Sequence, residues 1–596
     1  MLSLSCNAVS KEQNTALLYE KYPEIAFLYS CWNNDSASRQ DAKPCLIMKH
    51  LPSYDDVEML FVFGLCRGMT YEYFKPFLQK NAQKKLVIME SELQEIDALM
   101  EEDQAKDLLS DPQVQLLFAT THQQWLAIFD HMALSQTTDR VELIASPFYQ
   151  KKGKRKIASL RLALLRKVAL YSCLFTEGLH YHLLSKNLLR NFDRVLHSCY
   201  VNALDGSCAN MPAIICGAGP SLSTVVDELK TLGHSALIFG CGTAITALSK
   251  YGVKAHINIA LDPNHEEYVR LKESQGFETP FAFSCRVNSS VFDTFNAPMI
   301  YMSSDTGGAL EDLIEDSLHL TAPPIGADLS CESLSVTTMA VSLARRMGCS
   351  PIILCGVDLA FTSGKRYADD VMHPFSQGGG HDRHGGALDK HLTRKDLNGK
   401  PTSTLVKWIM EAKSLSSYAK KHGSIPFYRG TNAGIEIPHI SFTPLSTVIK
   451  DRASHDIKGW LHAMCQMHRI EHASSYLACK KEIYESLQRS CDIVTKILEE
   501  LAMQRDSCHL SVPSARQTVF EMDLAEEVAF QRIFAATPVL LERLLSRKYP
   551  TIPYEDSHEL CYLILEKEKS KWMHMQKIIM ALLDSFDVKE LQAHIP

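Results

Sequence analysis

The chain has 596 residues, with 62 Lys plus Arg against 69 Asp plus Glu and a net charge of −7; at ~150 residues per domain, that length makes about four domains or a few larger ones. At 46% hydrophobic and 22% charged residues it is too apolar for disorder. Its mild acidity argues against a generic nucleic-acid coat, and no apolar run approaches the ~20 residues that span a bilayer.

The 18 Cys are scattered. Cys173, Cys216, Cys241, Cys285, Cys331 and Cys355 each sit alone in an apolar run, with no CxxC pair and no zinc-like spacing. Isolated thiols suit a reducing interior, where a buried Cys behaves as a small hydrophobe. The N-terminal MLSLSCNAVSKEQNT lacks the basic region and apolar core of a signal peptide. The expectation is a cytoplasmic protein without a membrane span.

Residues 1–45 read as mixed helix and loop. From Glu58 the pattern becomes α/β: EMLFVFGL is a strand, GMTYEYFKPFLQKNAQ a helix, KLVIMES a strand, ELQEIDALMEEDQAKDLL one helix and VQLLFA a third strand. Glu90 ends the second strand, which invites a methyltransferase comparison. The turn there, FGLCRG, has only Gly64 and Gly68, so a scaffold is the simpler reading. KKGKRKIASLRLALLRKVALYSCLF opens on a basic cluster and continues with helical period. That cluster reads as a solvated helix start or linker, with an acidic partner surface as the sharper alternative.

A second α/β region begins at Pro212. AIICGAGPSLS is strand, glycine turn and helix start; HSALIFGCG is strand and turn; TAITALSKYG is a helix stopped at Gly252. VKAHINIALDPN is a strand ending at Asp262, and MIYMSS is another. CESLSVTTMAVSLARRMG is a helix and PIILCGVDLAF the strand after it; the region closes near FYRGTNAGIEI. Beyond about Lys450 strand signals fade and helical periodicity takes over. The fold class is therefore α/β. An N-terminal α/β domain (1–150) and a helical connector (151–204) precede a central Rossmann-like parallel-sheet domain (205–445), and a mostly helical C-terminal domain (446–596) follows.

The segment AIICGAGPSL carries the strongest chemical signal. Gly217 and Gly219 let the backbone turn sharply, Pro220 sits where a helix begins, and Ser221 adds a hydroxyl. Free amides at such a turn favour an anion such as phosphate. A Walker-type loop is excluded because no Lys follows, and a dinucleotide fingerprint because the next strand ends in Gly240-Cys241-Gly242 without a carboxylate. Asp262 and Asp358 lie just past apolar strands, where open α/β sheets collect ligands; each can equally cap the next turn.

Taken in order, GAGPSL, GCGTAITAL, INIALDPN, ESLSVTTMAVSLARRMGCSPIILCGVDLAF, NGKPTSTLVKWIMEAKSL and RGTNAGIEI resemble the motility-associated-factor (Maf) glycosyltransferase family. The same domain is similar to archaeal MptE-type hydroxymethylpterin diphosphokinases and to bacterial sialyltransferases whose GNGPS loop meets the CMP moiety of an activated sugar. The match covers about residues 205–440. It implies transfer of a nonulosonic, sialic-acid-like sugar from a CMP donor to Ser or Thr of a protein such as flagellin. The partners implied are a nucleotide-sugar and a protein acceptor, and no nucleic acid. By the resemblance, Gly217, Ala218, Gly219, Pro220 and Ser221 hold the nucleotide phosphate. Gly242, Thr243 and Asp262 line the donor pocket, with Asp358 nearby. Ala218 stands where the sialyltransferase loop has Asn, which removes a side-chain contact to the nucleotide.

The related sialyltransferases place a catalytic His on the loop after the strand matching PIILCGVDLAF. That loop, TSGKRYADDVMHPFSQGGGHDRHGGALDKH, supplies His373, His381, His384 and His391, of which His384 and His381 are preferred over His373 as the acceptor base. Lys365, Arg366 and Arg383 are available to neutralise phosphate. His381, Asp382 and His384 with Asp369 and Asp370 also allow a metal site, but there is no DxD motif, so no metal ligands are assigned and the use of Mg²⁺ stays open. Asn432 belongs to the RGTNAGIEI match, without a defined role. Two other readings stand beside the transferase: a pterin diphosphokinase using ATP and Mg²⁺, and a binding protein that keeps the fold without catalysis.

Overall fold

Four short apolar runs between residues 59 and 145 form an all-parallel sheet of order β3-β2-β1-β4, with β1 Met59–Phe63, β2 Lys85–Glu90, β3 Val114–Phe118 and β4 Val141–Ala145. The fourth strand, VELIA, was not among the sequence-predicted ones. The segment predicted as one helix over 92–109 is two, Leu93–Met100 and Ala105–Ser110. This computed structural model describes residues 2–32, 54–135, 138–304, 306–329, 335–368, 371, 386–449, 456–507, 513–549 and 557–586. It divides into two compact units, Met1–Leu174 with His381–Lys390, and Phe175–Gly380 with His391–Pro596.

In the first unit, Glu90 is fully buried at the end of β2. Its carboxylate accepts hydrogen bonds from the amides of Leu65 (3.0 Å), Ser91 (2.7 Å) and Glu92 (3.1 Å) and from the Tyr149 hydroxyl (2.7 Å). An acid with four donors is a structural cap on the turn after β1, which agrees with the scaffold reading.

The second unit contains a nine-stranded sheet, in which every pair is parallel. Its strands are β5 Cys199–Tyr200, β6 Ala213–Cys216, β7 Leu237–Cys241, β8 Ile257–Ala260, β9 Phe281–Phe283, β10 Met299–Tyr301, β11 Ile352–Cys355, β14 Phe427–Arg429 and β15 Ser441–Phe442. A separate antiparallel hairpin pairs β12 His391–Lys395 with β13 Pro401–Leu405. The sheet order is β15-β14-β11-β6-β7-β8-β9-β10-β5. From β6 the chain steps outward through β10, then crosses back to place β11 on the other side of β6. Successive crossovers in opposite directions open a crevice at the carboxyl ends of β6 and β11.

Parallel strands are apolar on both faces because helices cover both. On one face, Ile215, Phe239 and Ile259 pack with Met339 and Leu343 of the helix Val336–Arg346 and Leu415 of the helix Val406–Lys421. The other face carries Ile214 and Ile238 against Leu222, Ala244 and Leu248. Toward the β9–β10 end, Phe281, Phe283 and Tyr301 share one core with Leu188 and Phe192 of the helix Tyr181–Val195. Ile483 and Leu487 of the helix Ala473–Ser507, and Trp572 and Met575 of the helix Ser557–Leu583, belong to that same core. The C-terminal region is helical, as predicted. Its long helices bury their apolar stripes in the same core as the sheet strands, so the part set apart as 446–596 belongs to the same compact unit as the sheet. The boundary between the two units falls inside the helix Pro147–Leu179. No helix among the described residues is long and apolar enough to cross a membrane.

Candidate functional site

A cavity of about 270 Å³ lies at the crevice between β6 and β11. Each wall comes from a turn at the carboxyl end of a strand. Gly217, Ala218 and Gly219 follow β6, Gly242 and Thr243 follow β7, Asp262 follows β8, and Gly356 to Ala360 follow β11. Helical residues Glu267, Arg270, Trp408 and Glu411 add to the lining, as do Arg366, Tyr367 and the start of the helix Val336–Arg346. Pro220 and Ser221 are not part of the lining; Ser221 is buried beneath the turn.

The turn after β6 does not present the ring of open amides that the sequence predicts. The Gly217 amide donates to Cys355 O (2.8 Å), the Gly219 amide to Gly356 O (2.8 Å) and the Ser221 amide to Asp358 Oδ2 (3.1 Å). Pro220 has no N–H to give, and the Ser221 hydroxyl donates to Asp358 Oδ1. These glycines serve loop packing. A Cβ on Gly217 would lie 2.7 Å from Gly356 O, and one on Gly219 2.6 Å from the same oxygen. Gly356 has φ +66°, and a Cβ there would press into Gly217 O and lie 2.8 Å from Leu222 Cβ. The two crevice loops meet backbone to backbone, which only glycine permits. Among the described residues, no acceptor meets the amides of Ala218 or Thr243. Both residues line the cavity, and Thr243 opens the helix Thr243–Lys250.

The two Asp residues have structural partners as well as cavity positions. Asp358, 2% exposed, caps the turn at Ser221. Asp262 accepts from the Asn264 amide (3.1 Å) and side chain (2.8 Å) and pairs with Arg270 Nη2 (3.1 Å). Arg270 also pairs with Glu267 Oε2 at 2.6 Å. Glu267 Oε1 is buried without a hydrogen-bond partner, and a Cβ on Gly242 would lie 3.7 Å from it. Burial pushes the Glu267 carboxyl up to about 7, against the opposing pull of Arg270. Glu411 accepts from the Ser335 hydroxyl (2.8 Å), and burial raises it too. Ser335 in turn caps the helix Val336–Arg346 by accepting from Thr338 N.

The opposite wall is aromatic. The Arg366 guanidinium lies 5.4 Å from the Tyr367 ring centre and 5.8 Å from that of Trp408. Trp408 packs on Phe361 at 5.0 Å, and His391 of the hairpin stacks on Phe361 at 5.1 Å. His391 is exposed, with Nδ1 3.0 Å from Ser403 Oγ. His373, His381, His384, Asp369, Asp370 and Arg383 lie outside the described residues. Asn432 is exposed and is not part of the cavity lining. Its RGTNAGIEI segment is held instead by Arg429, 1% exposed, which donates to Ile435 O (2.6 Å), Val357 O (3.1 Å) and Ala433 O. Among the described residues no three His, Cys, Asp or Glu side chains converge as metal ligands. Among the described residues of the cavity, Asp358 is engaged by Ser221, Asp262 by Asn264 and Arg270, and Glu411 by Ser335, while Glu267 pairs with Arg270 through one oxygen and leaves the other unpartnered.

Residues 186–364 match the family model described as 6-hydroxymethylpterin diphosphokinase MptE-like. A solved structure titled "Structure of MAf glycosyltransferase from Magnetospirillum magneticum AMB-1" matches over 97% of this chain and 97% of that one, with a TM-score of 0.50 and 15% identity. At that identity the likeness concerns the fold, and it extends through the flanking regions as well as the central sheet. Comparison with curated protein sequences returned no match. The family-model match spans the segments from GAGPSL to GVDLAF, including the turns after β6, β7, β8 and β11, and stops before NGKPTSTLVKWIMEAKSL and RGTNAGIEI.

Sequence reasoning missed Glu267, Arg270, Tyr367, Trp408 and Glu411. Glu267 and Arg270 were detectable as an i, i+3 pair on the helix that follows INIALDPN. Trp408 and Glu411 lie far along the chain from the glycine turns after β6 and β7, and only the crossover of the chain brings them there.

Proposed function

We propose that the protein is a glycosyltransferase that moves a nonulosonic sugar from a CMP donor to a hydroxyl of a protein acceptor. The observation that carries this reading is the crevice at the switch point, where the Ala218 and Thr243 amides meet no protein acceptor. Two amides from different turns can share one phosphate, the second at a helix start whose dipole favours an anion. Arg366 adds a cation, and the Trp408 and Tyr367 rings offer a face to a pyrimidine. Gly217, Gly219, Pro220, Ser221 and Asp358 then act as the frame of the donor site, and Asp262 acts through Arg270. Likeness in fold to a Maf glycosyltransferase over nearly the whole chain supports the same reading.

A second reading, pterin diphosphokinase, is favoured by the MptE-like match over 186–364. Thermal shift separates them, since a ligand that binds only the folded state raises the midpoint with its concentration. CMP and CMP-N-acetylneuraminate are expected to stabilise the protein, and ATP with Mg²⁺ or 6-hydroxymethylpterin is not. The opposite pattern overturns the transferase in favour of the kinase. No shift with any of them favours a non-catalytic fold.

A further inference from the structure

Resting on the transferase reading above, we infer that Glu267 is the general base that takes the proton from the acceptor hydroxyl. The geometry points to it first. Glu267 is 2% exposed yet lines the cavity, and one of its two oxygens has no partner. A buried carboxylate oxygen normally has a donor, so a lone one at a cavity wall calls for an explanation, and a catalytic role is one. The other oxygen is tied to Arg270, which Asp262 also holds, so the carboxylate cannot swing away. The unpartnered oxygen lies beside the turn at Gly242, which precedes the Thr243 amide proposed to hold the phosphate. In a CMP-sugar the anomeric carbon is one bond from a phosphate oxygen. A base beside the phosphate turn is therefore placed for an attacking hydroxyl.

The step balances as follows. The acceptor oxygen forms a bond to the anomeric carbon while its proton passes to Glu267 Oε1. The bond from that carbon to the phosphate oxygen breaks, its electron pair leaving with CMP. Glu267 then returns the proton to solvent. Burial supports the role by raising this carboxyl toward neutral pH, where a base is strong enough to act and still largely ionised at pH 8. The charged groups nearest it are Arg270 on its own helix and Asp262 on the loop after β8.

The test uses the full chain, CMP-N-acetylneuraminate as donor, and either water or azide as acceptor. Azide brings no proton to remove. Glu267→Gln is expected to lower donor hydrolysis by about 100-fold or more, the low end of what general bases contribute. It should form glycosyl azide within about threefold of wild type and keep the CMP thermal shift. The acidic limb of the wild-type pH profile near 7 should vanish. The inference is overturned if hydrolysis survives with that limb intact, which places the base elsewhere, for example on a histidine of 372–385. Equal losses with azide and water, or loss of the CMP shift, also overturn it, because they mark a residue that holds the donor or the frame. Should Glu267→Gln fail to fold, Glu267→Asp keeps the charge but retracts it. Hydrolysis should then fall more than tenfold with azide transfer unchanged, and parallel losses refute the role. A wild-type protein that turns over no CMP-sugar and is stabilised by ATP instead brings down the transferase reading itself, and this assignment with it.

Discussion

Replacing Gly356 by alanine tests whether the glycines of the crevice exist for the meeting of two loops. Gly356 has φ +66°, and Gly252, at the end of the helix Thr243–Lys250, has φ +69°. Both positions impose the same left-handed strain on an alanine, about 1–2 kcal/mol. They differ in what the new methyl meets. At Gly252 the nearest atom is Lys230 Cε at 3.8 Å, the end of a flexible side chain. At Gly356 it presses into Gly217 O and lies 2.8 Å from Leu222 Cβ, with no soft atom to yield. Overpacking of that kind adds about 1–3 kcal/mol. Gly356→Ala should therefore cost about 2–5 kcal/mol, and Gly252→Ala about 1–2 kcal/mol. In large domains a loss of 1 kcal/mol lowers the melting midpoint by roughly 2–4 °C. Differential scanning fluorimetry of the two variants side by side reads the difference, and CMP titration of each reports the crevice. Equal midpoints for the two variants would refute the loop-contact account and return these glycines to a ligand role.

Three further outcomes follow from the same structure. Asp358→Ala removes the acceptor of the Ser221 amide and hydroxyl in a buried setting, and should destabilise by about 2–4 kcal/mol in urea unfolding, with Ser221→Ala milder. Arg429→Lys cannot span three carbonyls with one ammonium, so the loop at 433–435 should lose hydrogen-exchange protection while β11 keeps its own. The third concerns pH. The folded state holds the Glu267 proton up to about pH 7, whereas an exposed glutamate releases it near 4.5. Between those values the folded chain binds more protons, so this group's contribution falls as pH rises through the window. At about 1.4 kcal/mol per pH unit the change reaches roughly 3 kcal/mol. Urea midpoints at pH 5 and 8 should differ less in Glu267→Gln than in wild type, and an identical difference would show that the carboxyl is not held protonated by burial.

The α/β class was legible because parallel strands covered on both faces are short continuous apolar runs. AIIC, LIFGC, INIA and IILC stand out from any amphipathic helix. β5, β9, β14 and β15 were not, since two or three residues make no periodic signal; β10, equally short, showed only through the longer run MIYMSS. The turns that wall the cavity were readable for a related reason: in a parallel sheet the carboxyl end of every strand lies on one side, so chain order alone places the residues after β6, β7, β8 and β11 together. What sequence could not decide is which polar groups there are already engaged. Gly217, Gly219 and Ser221 look like anion ligands in a string of letters, yet their amides face Cys355, Gly356 and Asp358, more than 130 residues away. Whether a donor is spent inside the protein or left open to a ligand depends on contacts between segments remote in sequence. Local pattern carries backbone shape, and only the packed tertiary structure determines hydrogen-bond partners and the burial that lifts Glu267.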